Sequence, residues 1–216
     1  MFNDLLKYLK KNLPKKIESK DYSNYETFGK EIEKPLSYII KNYLNKMKIT
    51  YEAKPAKNKN AFPDLMLTIN KNNYAFEYKA GISHTNPEND MGTLNAYKDK
   101  ISKFGDNIYC IFIKYEINPV TEKIQIDDIY FDKIYRFIGN SSKNKNMLKY
   151  RKKDGNLRPK SWKDFSNNKV YFKSLNDFER AMKVTQIYRS EQIIYEHLKK
   201  LDKPTLKRVR QKLENY

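Results

Sequence analysis

Asp64, Glu77 and Lys79 are the residues of this chain best able to do chemistry together. Pro63-Asp64 is followed, twelve residues on, by Glu77-Tyr78-Lys79, and both stretches are apolar around their charges, with Phe62, Leu65, Leu67 and Ile69 about the first and Ala75 and Phe76 before the second. An unpaired charge is costly in a half-buried strand, so acids and a lysine placed there need a reason. Glu77 and Lys79 are two apart and share a strand face, and a hairpin folded about residues 70–73 sets Asp64 opposite Lys79 and diagonal to Glu77. Two carboxylates and an ammonium on one patch suit the hydrolysis of a phosphodiester. Hard oxygen ligands hold Mg²⁺, which offsets charge developing on the phosphate and acidifies a water, while an ammonium positions or activates that water. Asp64 and Glu77 are the expected ligands, the backbone carbonyl of Tyr78 a third, and Lys79 the water-positioning or transition-state-stabilising group. Whether Lys79 acts as a base depends on its pKa. The same acid-x-Lys fragment recurs at Glu18, in a polar stretch, and at Glu52, which has no preceding acid on a pairing strand. The competing reading of the hairpin is a solvent-facing edge whose Glu/Lys pair contributes well under about 1 kcal/mol. Residue types alone leave both open.

The elements that would position this patch can be read from periodicity. Phe2, Leu5, Leu6, Leu9 and Leu13 recur at helical spacing, as do Phe28, Ile32, Leu36, Ile39, Ile40, Tyr43 and Leu44, with Pro35 tolerable only in a first turn. Residues 64–69 and 74–79 form the hairpin, with a four-residue turn. Thr93 caps a helix to about Phe104, residues 108–113 are apolar on both faces and predict a central strand, and 123–130 alternate as its neighbour. Residues 139–145 read as a surface loop. Ser174 to Asp177 resembles a capping box opening a helix with Phe178, Met182 and Ile187, and the stretch through Ile193, Ile194, Leu198 and Leu206 to Leu213 is helical and basic. This order predicts an α/β or α+β fold, a central mixed β-sheet flanked by helices. It is expected as one domain, 1–216, with a basic helical C-terminal segment from about residue 174.

Across 216 residues, 44 Lys+Arg against 26 Asp+Glu leave a net charge of +18, which repels itself in a compact state and suits a polyanionic partner, nucleic acid first. AT-rich coding would also enrich Lys, Asn, Ile and Tyr. The single cysteine, Cys110, excludes an internal disulfide and a thiolate-built metal site, and reads as a buried filler in the central strand. No stretch reaches the ~20 apolar residues of a membrane span. The first sixteen residues show no secretory pattern, so a cytoplasmic protein without a membrane partner is expected.

The Pro63-Asp64 and Glu77-Tyr78-Lys79 motif resembles that of the PD-(D/E)XK nuclease superfamily, whose members present an acid, a second acid and a lysine on adjacent strands of a core sheet. In many members a glutamate on a preceding helix also faces the metal, and Gly29-Lys30-Glu31-Ile32-Glu33-Lys34 introduces such a helix. By the resemblance Glu33 is the choice for that ligand and Glu31 the alternative, against the plain reading of a solvated helix position. The segment 85–97 looks like the one after the catalytic strand in the blunt-cutting type II restriction enzymes of the EcoRV, HincII and SwaI branch. The loop 139–146, then Trp162-Lys163-Asp164-Phe165, then the Ser174 helix with Asp177 and Phe178, follow in a similar order. Covering about residues 28–190, the resemblance implies a restriction-endonuclease-like core and a homodimer gripping double-stranded DNA, with one active site per strand. It further implies Mg²⁺ as cofactor and a cognate DNA methyltransferase as functional partner.

Side chains that reach base edges read sequence, whereas Lys and Arg on phosphates add affinity without discrimination. Two polar loops qualify as DNA-binding candidates, one with Asn86, Asn89 and Asn95, the other with Asn140, Ser141, Ser142, Lys143, Asn144 and Lys145. A polar loop is also, more commonly, just a loop. Arg151, Lys152, Lys153, Arg158 and Lys160 form a basic cluster expected to contact phosphates, or else a solvated charge run. His84 reads as a loop or DNA-contacting residue rather than a base, and Trp162 as a core anchor.

Overall fold

A computed structural model of the chain describes residues 2–18, 25–58 and 61–214. Helix α1 (Leu5–Glu18) buries Leu5, Leu9, Leu13 and Ile17 completely, an i, i+4 stripe that carries the helix through Pro14. The apolar pattern from Phe28 to Leu44 is divided between α2 (Tyr25–Glu31) and α3 (Glu33–Lys46). Pro35 is the third residue of α3 and has no N–H to return to the preceding turn, which is where one helix gives way to the next.

The strands β1 (Glu52–Pro55), β2 (Leu65–Ile69), β3 (Asn72–Ile82), β4 (Ile108–Ile117) and β5 (Ile124–Lys133) form one sheet in the order β1-β2-β3-β4-β5. All neighbours are antiparallel except β3 and β4, which run parallel. The parallel pair needs a crossover, and α4 (Leu94–Phe104) supplies it. Thr93 caps this helix by accepting the Ala96 N–H, and Gly105, at φ 54°, ends it. One face of the sheet packs on α1, α2 and α3 through Leu65, Leu67, Phe76, Tyr78, Ile111 and Ile113. The other packs on α4, a 3₁₀ turn (Ile134–Phe137), α5 (Trp162–Ser166) and the first half of α6 (Leu175–Leu198) through Ala75, Cys110, Phe112, Trp162 and Phe178. The fold is therefore α+β, a mixed five-stranded sheet between two helical layers.

The β2–β3 turn and α6 also depart from expectation. The β2–β3 turn is Asn70-Lys71 alone, both at positive φ (49° and 64°), not the four residues 70–73. A two-residue turn of that handedness matches the twist of its strands, and Asn accepts the conformation more readily than most residues. In α6, Phe178 and Met182 are buried as expected, but Ile187 is 61% exposed. It lies on the face of α6 opposite Phe178, Met182 and the buried Thr185, and α7 (Lys203–Glu214) follows. The loop after the 3₁₀ turn is held by isolated bridges, Ile138 to Pro159, Asn140 to Leu148 and Tyr150 to Leu157, with its tip at 142–146 exposed.

Candidate active site

β3 sets the site by its alternation. Phe76 and Tyr78 enter the α1–α3 core, which turns Ala75, Glu77 and Lys79 toward the α4 side. Across the parallel ladder Glu77 lies beside Cys110 and Lys79 beside Phe112, both buried and neither able to satisfy a charge. The two therefore pair with each other, Lys79 Nζ to Glu77 Oε1, at 2.8 Å. Glu77 Oε2 remains buried with no hydrogen-bond partner. A buried carboxylate oxygen left in that state is an acceptor awaiting a cation or a donor.

Asp64 stands immediately before β2, where that strand no longer covers β3. Its Oδ2 accepts the Tyr78 N–H at 2.6 Å. Because Ala75 donates its N–H toward the β4 side, the even residues of β3 turn both N–H and C=O toward β2, so the Tyr78 carbonyl shares the open edge with Asp64. The two-residue turn places Leu65 opposite Phe76 and so brings Asp64 level with Glu77 rather than with Lys79. The Tyr78 hydroxyl, on the other face, lies 3.1 Å from Ser37 Oγ and ties α3 to β3. Glu33 is one turn before Ser37 and lines the same cleft as Asp64, Glu77 and Lys79, a space of about 530 Å³. Glu31 is exposed and accepts the Thr27 hydroxyl.

Electrostatics follow from this crowding. Burial, and then the Glu77 carboxylate, push Asp64 up to about 7, against the Tyr78 N–H, which pulls the other way. Burial and Glu77 also raise Glu33. For Lys79 burial opposes the charge, but the Glu77 carboxylate outweighs it and holds the ammonium above its ordinary value. Three carboxyls around one cleft, one of them already shared with an ammonium, leave a demand for positive charge. The donors are hard oxygens, which fit Mg²⁺. Among the described residues no three Asp, Glu, His or Cys side chains are gathered tightly enough to hold a metal by themselves. A backbone carbonyl, water or substrate oxygen would have to complete the set, and the Tyr78 carbonyl is on the right edge.

Lys100 of α4 also lines the cleft and has no counterpart among the residues expected from sequence. It lies three residues after the fully buried Tyr97, on the stripe that faces the sheet. A lysine at that spacing in an otherwise apolar stripe was the signal available.

The DNA-binding candidates are scattered. Asn86 and Asn95 are exposed, but Asn89 donates to the Ala80 carbonyl at 2.7 Å and is used internally. At the 139–146 loop, Ser141 Oγ accepts the Lys143 N–H and Asn144 Oδ1 accepts the Asn146 N–H, while Ser142, Lys143 and Lys145 reach solvent. Asn140 is half-buried in its bridge to Leu148. Ser141, Ser142 and Lys143 line a second cleft with Lys149, Lys152, Lys153 and Arg189. Arg151 pairs with Asp154, and Arg158 donates to the Glu88 carbonyl. Lys160 departs from expectation. It is 5% exposed, donates to the Lys169 carbonyl at 2.7 Å and lies over the Phe165 ring, and burial lowers it to about 8. An ammonium so engaged does not face a phosphate. His84 is exposed in the turn after β3, and Trp162 anchors the core by donating to the Ile82 carbonyl at 2.9 Å.

A mixed sheet whose β3 carries an acid-x-lysine, with a further acid where β2 begins and helices on both faces, is a restriction-endonuclease-like fold. The model of the NgoBV restriction endonuclease family matches residues 28–208, and the chain belongs to that family. Among solved structures the chain is similar to NlaIV restriction endonuclease, with a TM-score of 0.52 and 19% identity over 77% of this chain. The match covers 66% of that chain, just under two thirds of its length, and at this identity the likeness is one of fold. No curated protein matches the chain.

Proposed function

We propose that the protein is a type II restriction endonuclease that hydrolyses phosphodiester bonds of double-stranded DNA with Mg²⁺, as a homodimer, at a short palindromic site. The observation that carries the reading is the Asp64, Glu77 and Lys79 cluster with Glu77 Oε2 unpartnered in a cleft edged by the Tyr78 carbonyl. Asp64, Glu77, Glu33 and the Tyr78 carbonyl would hold Mg²⁺. When bound, the ion supplies charge neutralisation at the phosphate and a more acidic water. Lys79, kept cationic by Glu77, orients the attacking water and stabilises the charge that develops on phosphorus-bound oxygen. In the reaction water adds to phosphorus, one P–O ester bond breaks, and the departing sugar oxygen takes up a proton. The palindrome follows from the two-fold axis of a dimer. Asn86, on the loop after β3, Asn95, in the first turn of α4, and Lys143 and Lys145, at the tip of the 139–146 loop, are exposed and are the side chains proposed to reach DNA. Family membership supports the restriction role, and with it a protecting DNA methyltransferase as functional partner. The finer likeness to the EcoRV, HincII and SwaI branch rests on the segment 85–97 and on the order of the loop, Trp162 segment and Ser174 helix after it.

The test is incubation of the protein with a long, fully sequenced, unmethylated DNA in Mg²⁺ or in EDTA, followed by end-sequencing. Discrete fragments formed only with Mg²⁺ are expected, and they give the site and the cut together. A smear would replace the proposal with a non-specific or structure-selective nuclease, and intact but gel-shifted DNA with a non-catalytic basic DNA-binding protein.

A further inference from the structure

The active-site cleft contains a cation that the acid, acid and lysine pattern does not assign. Lys100 projects from α4 into the space lined by Asp64, Glu77 and Lys79. Its Nζ lies 4.0 Å from the centre of the Phe62 ring and 4.9 Å from that of Tyr97. Phe62 is two residues before Asp64, so one wall of the lysine's seat is built from the same segment as the candidate metal ligand. Unlike Lys79, Lys100 makes no ion pair or hydrogen bond with any described residue, and burial, with the Lys79 charge, lowers it from its ordinary value against the attraction of Glu77 and Asp64. Gly92 borders the same cleft at a φ of 97°, a conformation that favours glycine, with Lys100 Nζ in ordinary contact distance of where a side-chain carbon would stand. An ammonium seated on two rings is attracted by their faces and keeps its N–H donors free while its position is fixed by packing. Among the described residues the N–H donors find no acceptor, and they border the cleft where an anionic substrate would sit.

Resting on the nuclease reading above, we infer that Lys100 is a further catalytic residue, whose Nζ donates a hydrogen bond to a non-bridging oxygen of the scissile phosphodiester. Lys79 is committed to Glu77, so the two lysines divide the work. Lys79 acts beside the carboxylates and the attacking water, and Lys100 on the phosphate whose charge grows in the transition state. A preorganised donor of this kind accounts for about 10²–10³-fold in rate when removed.

The experiment compares the unaltered protein with Lys100→Gln, Lys100→Met and Lys100→Arg on a DNA fragment that the unaltered protein is shown to cut. Single-turnover cleavage is measured at saturating enzyme with Mg²⁺, and binding by gel shift with Ca²⁺ in its place. Lys100→Gln and Lys100→Met are expected to lose about 10²–10³-fold in cleavage rate with binding changed less than about threefold, and Lys100→Arg to recover at least tenfold of the loss. Methionine retains the apolar stem on the two rings, so a folding defect shared by Lys100→Gln and Lys100→Met is read independently from thermal unfolding. Cleavage by Lys100→Gln within about threefold of the unaltered rate would overturn the inference alone, as would equal losses in Lys100→Arg and Lys100→Met. Failure of the unaltered protein to cut any DNA would overturn the nuclease reading and this inference with it.

Discussion

Replacing Asp64 by Asn should make the protein more stable at neutral pH while abolishing its proposed activity. Asn keeps the shape and an oxygen to accept the Tyr78 N–H, and removes a charge crowded by Glu77 and Glu33. In the fold this carboxyl is raised from its ordinary 3.8 to about 7, so the native state holds a proton that the unfolded chain gives up between those values. Stability therefore falls as pH rises from about 4 to 7, and the full penalty is present above 7. At 1.36 kcal/mol per pH unit the ceiling is ~4 kcal/mol, and sharing of the repulsion among three carboxyls reduces the realised effect to about 1–3 kcal/mol. For a domain of this size each kcal/mol moves Tm by about 2–4 °C. Thermal unfolding without metal should place Asp64→Asn about 3–9 °C above the unaltered protein at pH 8, with the gap closing by pH 4.5. Mg²⁺ should then raise the unaltered protein, by about 1.4 kcal/mol at ten times its Kd, and leave the variant nearly unmoved. A variant less stable than its parent at pH 8, or a gap independent of pH, would refute the account of a strained acidic site.

Other outcomes follow from single contacts. Lys79→Ala should leave a folded, DNA-binding protein whose cleavage rate falls by about 10²–10⁴-fold, measured in single turnover, and unimpaired cleavage would remove Lys79 from the site. Lys160→Met should leave DNA affinity within about twofold in a filter-binding titration, whereas Lys143→Ala with Lys145→Ala should weaken it and flatten its salt dependence by about one unit of slope per lost phosphate contact. Gly81→Ala drives a carbon to 2.8 Å from the Trp162 ring and should cost about 1–3 kcal/mol in urea unfolding. Tyr78→Phe removes the link to Ser37 and should cost about 0.5–1.5 kcal/mol by the same measurement.

Periodicity made most of the scaffold legible because burial imposes it. Leu5, Leu9 and Leu13 in α1, the continuous apolar run of β4, and the Thr93 and Ser174 caps all stand where their patterns point. What escaped was set by context. β1 is a four-residue edge strand, mostly exposed and ending in Pro55, with no alternation long enough to register. Ile187 is nine residues from Phe178, half a turn away from the stripe of Phe178, Ala181, Met182 and Thr185 that α6 buries, so sharing a helix with them does not put it on their face. Lys160 sits in a basic run that resembles a phosphate grip, and only the folded structure shows Phe165 and the Lys169 carbonyl around its ammonium. Lys100 shows in the sequence only as a lysine three residues after Tyr97 on its own helix, and its second partner, Phe62, comes from the segment before β2.

The two-residue turn gathers the same patch of side chains as the four-residue turn that the sequence predicts. Shortening the loop from four residues to two slides β2 along β3 by two positions, and side chains alternate with a period of two, so every residue keeps its face. Asp64 stands level with Glu77 instead of opposite Lys79, on the same face of the sheet. A slip of one residue would have turned it into the α1–α3 core, where an acid has no partner. The apolar residues at 65, 67 and 69 exclude that alternative, since all three are buried on the α1–α3 side and would have to face the other way. The hydrophobic alternation that stabilises the hairpin is thus also what holds two carboxylates against each other at the sheet's open edge. Their repulsion, with Glu77 Oε2 left unpartnered, is the electrostatic demand that a divalent cation would meet.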